Sequence, residues 1–401
     1  MKRLAFIALV LSATLSVLPS VGAQEYAPLI QPETVAIIRV NLDKLDATQL
    51  SAQTQAVAGS AVDYFVDDAE QAENIKQALP LAKVFIAQYF VQFVQPFKDA
   101  NVKNLYVVIE QGEDVDQDVY PYIAIPTSSL SAEDLDKVRT SMATINKQSG
   151  SALNYRFVRH NFFFIPVIPS SVAEKDAKAY VKKHFSKLNT ISRDEFAKGF
   201  ELVDSDAAVL SGVSVSAKNE KLAKGQMAKL AEQLEEVEAN EEFVANIEEF
   251  VQYSMDLNLK CADLVQFNAW SANLDDLVIT TKVQTNSADD AKEYRRLMEE
   301  EFAGKLNDFV LKTFDNATIN IEGINKDEQL KPVVSAGLDV LALFLKFKDD
   351  GGDVLTWKMD KDFFKDNKEA IDKLANAVKA LIPDAPAEED APAEEDAPAE
   401  E

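Results

Sequence analysis

Apolar positions along this chain alternate between strand-like and helix-like spacing. Residues 35–42, VAIIRVNL, form a β-branched apolar run that predicts a buried strand. From about 62 to 98 the apolar residues, among them Ile75, Leu79, Ile86, Phe90 and Phe93, predict a helical region. NLYVVIEQ (104–111) and VYPYIAIP (119–126) predict two strands around an acidic turn. SAEDLDKVR (131–139) then opens a helix that runs to about Asn146. YRFVRHNFFFIP (155–166) is strand-like, with a reversal at His160-Asn161, and a helix at about 170–187 follows. The order β-α-β-β-α-β is the ferredoxin-like pattern.

The order then recurs. AAVLSGVSVS (207–216) predicts a strand. Residues 220–258 place Met227, Leu230, Leu234 and Val237, then Phe243, Ile247, Phe250 and Val251, at helical spacing, with glutamates mostly on the opposite side. LVQFNAWSA (264–272) and LVITTKVQT (277–285) predict a second hairpin. SADDAKEYR (287–295) opens the next helix, and ATINIEG (317–323) is a candidate last strand. A helix at about 328–343, a hairpin turning at Gly351-Gly352 and a closing helix at 361–381 complete the pattern.

The two similar stretches decide how the halves relate. Ser131 and Ser287 each have an Asp three residues on, which is a helix-capping arrangement. Capping accounts for the Ser and the Asp. It does not account for the shared apolar offsets, Leu135, Val138 and Met142 against Ala291, Tyr294 and Met298. Nor does it account for the matching Arg139 and Arg295. Same cap, same apolar face and same preceding hairpin predict an internal duplication. A shared binding site at the two arginines is the sharper alternative, but an Arg two turns into an amphipathic helix ordinarily reaches over the apolar edge into solvent.

The fold class expected is therefore α+β: two tandem ferredoxin-like (β-α-β-β-α-β) units from an internal duplication, with helical extensions. Residues 24–200 form the first unit, and 201–383 the second with its C-terminal extension.

The ends change the setting. Residues 1–23 carry Lys2 and Arg3, an apolar run from Leu4 to Leu18, and small residues at Val21-Gly22-Ala23. That is the three-part pattern of a secretory signal peptide, with Gln24 as the new N-terminus. The run is short for a bilayer span. No Cys follows it, which argues against a lipoprotein anchor. The most apolar later segment, 79–97, is interrupted by Lys83, Gln88, Gln92 and Gln95, and reads as a buried amphipathic helix. No transmembrane span is expected after signal removal. Residues 384–401 are three DAPAEE repeats with no large apolar residue, which predicts a disordered acidic tail. Net charge is −26; the tail takes nine negative charges and the leader adds two positive ones, leaving −19 on 24–383. Such a surface disfavours nucleic acid and anionic membranes. An exported, periplasmic or secreted location follows.

Chemistry is harder to find. The chain has no GxGxxG, GxxxxGK[ST] or GxSxG, and SGVSVS (211–216) reads as a strand. Two histidines, His160 and His184, and the single Cys261 give no ligand spacing. Cys261 reads as a buried small hydrophobe and excludes an intramolecular disulfide. Asp114, Asp116 and Asp118 alternate in GEDVDQD (112–118), as ligands of a weak Ca²⁺ site do. However, Val119 and Ile125 stand where a calcium loop of the EF-hand kind needs Gly and Glu, so an exposed hairpin turn is the favoured reading. No catalytic, metal-ligating or cofactor-binding residue is assigned, and no cofactor is expected.

The layout resembles uncharacterised exported proteins of planctomycete-type bacteria. The leader, the opening PETVAIIRVNLDKLDA, the capped helices after hairpins and the acidic Pro-containing end carry the resemblance. It implies a cell type and no activity. The expectation is an exported, non-enzymatic binding or structural protein of the cell envelope, its ligand or partner protein not named by the sequence. The alternative is a carboxylate- or divalent-ion-dependent hydrolase with a site between the units.

Overall fold

Every β-branched run that the structure describes pairs antiparallel with its neighbours. In the computed structural model ten strands form one sheet: β1 (Thr34–Asn41), β2 (Asn104–Glu110), β3 (Tyr122–Pro126), β4 (Phe157–Arg159), β5 (Phe162–Pro166), β6 (Leu210–Val215), β7 (Val265–Asn273), β8 (Val278–Thr285), β9 (Lys348–Asp349) and β10 (Val354–Met359). The structure describes residues 25–380 except 66–72, 74, 75, 78–87, 89, 90, 92, 93, 113–118, 150–156, 170, 187, 206, 216–220, 223, 227, 230–240, 274–276, 317–324, 350 and 361. The expected signal peptide, acidic tail and strand at 317–323 lie outside the described residues.

Helices bounded among the described residues are α1 (Ala47–Phe65), α2 (Gln95–Asp99), α3 (Ala132–Ser149), α4 (Glu174–His184), α5 (Asp194–Glu201), α6 (Glu241–Leu264), α7 (Ala288–Arg296), α8 (Ala303–Asn316), α9 (Lys331–Leu343), α10 (Phe363–Asp366) and α11 (Lys368–Lys379). A π-helical stretch, Leu297–Phe302, joins α7 to α8, and another, Lys326–Leu330, leads into α9. Helix α1 starts well before the expected position because Asp46 caps it, its carboxylate accepting the Gln49 N–H at 2.8 Å. Its sequence, ATQLSAQTQAVAGSAVDYF, is too poor in large apolar residues to show a helical period. Helix α5 is a further element that the apolar pattern did not reveal.

The α+β class holds, but the ferredoxin-like pairing does not form. The sheet runs β4-β5-β3-β2-β1-β6-β7-β8-β10-β9, and every pair is antiparallel. In a split β-α-β unit the first and second strands are parallel with another strand between them, and the last strand lies beside the first; here β2 pairs directly and antiparallel with β1. The other edge of β1 is occupied by β6, Ala36–Val40 pairing with Leu210–Ser214. The closing segment of each half instead folds into a hairpin and adds outside the third strand. In the first half His160 and Asn161 turn it with φ of 50° and 63°. In the second, Gly351 and Gly352 do so at 91° and 88°. The first is a two-residue turn, which needs left-handed residues at both centres. Counted outward from the middle, both halves run first, second, third, fifth, fourth strand. The β1–β6 ladder makes the two expected units share one sheet, and α11 lies against α1 of the first half.

Side chains alternate across each strand, and directly paired residues share a face. On one face Ile37, Tyr106, Val108, Tyr122, Phe164, Val213 and Phe267 form the largest core. Tyr26, Leu29 and Ile30 from the N-terminal segment cover it, with Phe185, Phe196, Phe200 and Val203 from the connection between the halves. Each fully buried Phe contributes roughly 1.5–3 kcal/mol of transfer free energy. The opposite face is covered helix by helix. Val138 and Met142 of α3 and Phe97 of α2 pack on Ile125, Phe163 and Ile165. Ala291 and Tyr294 of α7 pack on Val283 and Leu355, and Phe363 packs on Trp357.

Candidate functional site

Following paired residues across the covered face shows where its cover ends. One row reads Ile37, Val213, Ala269, Lys282, Thr356. The first three are buried apolar residues; Lys282 and Thr356 are part-exposed. The next row reads Arg39, Ser211, Ser271, Thr280, Lys358. It begins with a buried Arg39 and ends with an exposed Lys358. The apolar cover therefore stops between β7 and β8, and a polar sheet surface continues over β8 and β10.

A concavity of about 440 Å³ lies on this surface, lined by Lys282, Lys358, Thr280, Ser271, Asn273 and Val278 from the strands. Leu202, Val203, Asp204, Ala207 and Ala208 form its wall. That wall is held in place. The Arg39 guanidinium donates to Ser205 Oγ at 3.1 Å, and Nε donates to Asn104 Oδ1 at 2.9 Å. Val209 N–H donates to the Ala272 carbonyl, and Asn41 N–H to the Val209 carbonyl. Lys358 lies 2.9 Å from Asp360 Oδ2. That contact, with the Asp362 N–H, holds the Asp360 carboxyl below its usual range. Lys282 has no ion pair among the described residues. Chemically the site offers two ammonium groups, two hydroxyls, an amide and the Asp204 carboxylate. These groups can hydrogen-bond a polar ligand, and the volume is that of a small-molecule site.

A second polar group lies inside the first half. Glu110, at the end of β2, accepts the Gln31 side-chain N–H at 2.8 Å. Its other oxygen lies 2.8 Å from His184 Nε2 at the end of α4. Tyr180 stacks on His184 with ring centres 5.1 Å apart. Burial, then the Glu110 carboxylate, pushes the Tyr122 phenol well above its ordinary pKa. This cluster ties the N-terminal segment and α4 to the sheet beneath them, and its work is positioning.

The expected residues fall apart in space. Both caps are present: Asp134 N–H donates to Ser131 Oγ at 3.1 Å, and Asp290 N–H to Ser287 Oγ at 3.2 Å. Arg139 pairs with Asp136 and is exposed. Arg295 sits on α7 over the other half's core, so the two arginines do not share a site. His160 is a turn residue. Cys261 is partly buried against the cluster of Val265, Val283, Ala291, Tyr294 and Leu355, and burial pushes its thiol up to about 11. Asp114, Asp116 and Asp118 lie outside the described residues. Among the described residues no group of three His, Cys, Asp or Glu side chains is placed to hold a metal, and no helix is long and apolar enough to cross a membrane. The halves meet in a backbone ladder, and Asp204 is the carboxylate that lines the concavity.

Sequence reasoning did not single out Lys282, Lys358 or Asp204. One signal was present: in VITTKVQT, Thr280, Lys282 and Gln284 alternate with Ile279, Thr281 and Val283, which marks a strand with one polar face. The chain matches no known protein family, no curated protein and no solved structure.

Proposed function

We propose that this chain is an exported, non-enzymatic binding protein of the cell envelope. The observation that carries the binding reading is the concave polar surface over β8 and β10, set on paired strands and walled by a hydrogen-bonded loop. Rigid strands hold such groups more firmly than a free loop would. The leader pattern of residues 1–23 supports export. The common strand order and the paired capping boxes support an origin by internal duplication of a five-stranded unit. A planctomycete-type cell remains the setting that the chain's layout resembles.

The test is fractionation of the native cells, followed by intact mass and co-purification from the envelope fraction. The expected result is a chain beginning at Gln24, outside the cytoplasm, enriched with an unmodified ligand or partner. A full-length chain retained in the cytoplasm would defeat the export reading. Conversion of a co-purified compound by the isolated protein would defeat the non-enzymatic one.

A further inference from the structure

We propose that the concavity over β8 and β10 is a site for a small hydroxylated carboxylate, held across Lys282 and Lys358. This deepens the binding reading and rests on it. It does not depend on export.

Two lysines line a concavity of a strongly acidic chain, with the carboxylate of Asp204 on its wall and that of Asp360 beside Lys358. The chain has 67 acidic against 41 basic residues. Some lysines elsewhere sit against carboxylates, as in Lys137–Glu133, Lys292–Asp289, Lys331–Asp315 and Lys368–Asp372, and others, such as Lys103 and Lys182, make no ion pair among the described residues. Lys282 has no such partner among the described residues and is part-buried on the sheet. Lys358 lies diagonally across the β8–β10 ladder from it, because Thr280 pairs with Lys358 and Lys282 with Thr356. Diagonal residues of this kind lie about 7–8 Å apart, with their Cβ atoms somewhat closer. Two ammonium groups on flexible stems at that spacing can close on a carboxylate between them, or on the two ends of a compact dicarboxylate.

The remaining groups define the rest of the ligand. Ser271 and Thr280 pair directly, so two hydroxyls stand side by side between the lysines and the wall. Asp204 lies on the wall and, when ionised, only accepts hydrogen bonds. It repels a second carboxylate close to it and favours a ligand hydroxyl. A carboxylate toward the lysines and a hydroxyl toward Asp204 is the arrangement of a small hydroxy acid. The volume, about 440 Å³, is ample for one.

The experiment is calorimetric titration of the purified full chain with malate, with succinate and inorganic phosphate as comparison probes. Malate is expected to bind saturably, in roughly the millimolar range. Lys282→Gln should weaken it by roughly five- to tenfold and Lys358→Gln by less, because Lys358 is already shared with Asp360. Lys331→Gln, a change at a paired surface lysine, should leave binding unaltered. Succinate should bind more weakly than malate, and Asp204→Asn should narrow that gap. Circular dichroism of each variant confirms that it is folded. No saturable binding of malate, or unchanged affinity in folded Lys282→Gln, overturns the site. Phosphate or succinate binding as tightly as malate overturns the hydroxycarboxylate assignment. The fractionation result does not bear on any of these outcomes.

Discussion

His184 Nε2 lies 2.8 Å from Glu110 Oε2, and the Glu110 side chain is 0% exposed against 18% for His184. The ring N–H is not aimed along that line: neither atom makes a hydrogen bond of good geometry. The contact is therefore a close electrostatic one, with the straight hydrogen bond to Glu110 coming from Gln31. It joins β2 to α4, which share no sequence proximity.

Removing both members should cost less than the two single removals added together. His184→Ala strips Glu110 of a polar neighbour in a buried place, for an expected loss of about 1–3 kcal/mol. Glu110→Gln should lose a similar amount. The double variant should lose clearly less than the sum, because neither partner is then stranded. Urea denaturation of the four proteins checks this. Additivity within about 0.5 kcal/mol would mean that the two groups are not coupled.

The second relationship is a close approach. A Cβ on Gly199 of α5 would lie 2.7 Å from Val213 Cγ1 and 3.2 Å from Phe267 Cδ2. The helix thus sits on β6 and β7 at a distance that only glycine permits. Gly199→Ala should cost about 1–3 kcal/mol by overpacking. Val213→Ala, added to it, should recover part of that loss although it is destabilising alone. A double variant weaker than Gly199→Ala alone would show that the clash is not with Val213.

How the sheet was assembled was only partly legible in the chain. Strands such as NLYVVIE and VITTKVQT announce themselves by period and β-branching. The tight turns at His160-Asn161 and Gly351-Gly352 do so by their residue types. Pairing partners are long-range and leave little local mark. Nothing in VAIIRVN states that β6, far along the chain, takes the edge of β1. Lys282 and Lys358 belong to one site only because β8 and β10 pair in a particular register. Glu110 and His184 are likewise brought together by tertiary packing. The caps were fully legible because they join residues three apart.

Those caps should differ in strength. At Ser131 the box is complete: Ser131 N–H donates to Asp134 Oδ2 at 3.0 Å, and Asn101 donates to Oδ1 at 3.0 Å. Hydrogen bonds from Ser131, before other causes, hold the Asp134 carboxyl below its usual value near 3.8. A lowered carboxyl pKa adds stability above the unfolded value, and that stability is lost as pH falls through the folded one. Loss of the N-cap in Ser131→Ala should cost about 1 kcal/mol at neutral pH. Its deficit should shrink as pH falls below about 4. Ser287→Ala, at a cap whose Asp290 is part-exposed where Asp134 is buried, should cost less. Chemical denaturation at pH 7 and pH 3 measures both, and a pH-independent Ser131→Ala deficit would contradict the assigned role of Asp134.

Cys261 gives the last prediction. It is the chain's one cysteine, on α6 and packed against the cluster of Val265, Val283, Ala291, Tyr294 and Leu355. Burial raises its thiol to about 11, with Lys260 opposing only in part. The thiolate is the reactive form, so alkylation at pH 8 should run roughly two-hundredfold slower in the folded protein than in urea. The rate should climb about tenfold per pH unit and level off only near pH 11. A thiol pKa raised by folding also means that stability falls between the ordinary thiol value and about 11, since the unfolded chain ionises first. Iodoacetamide labelling followed by mass spectrometry reads the rate across that range. A plateau near pH 9 in the folded protein would place the thiol in water and contradict its packing against α7 and the sheet.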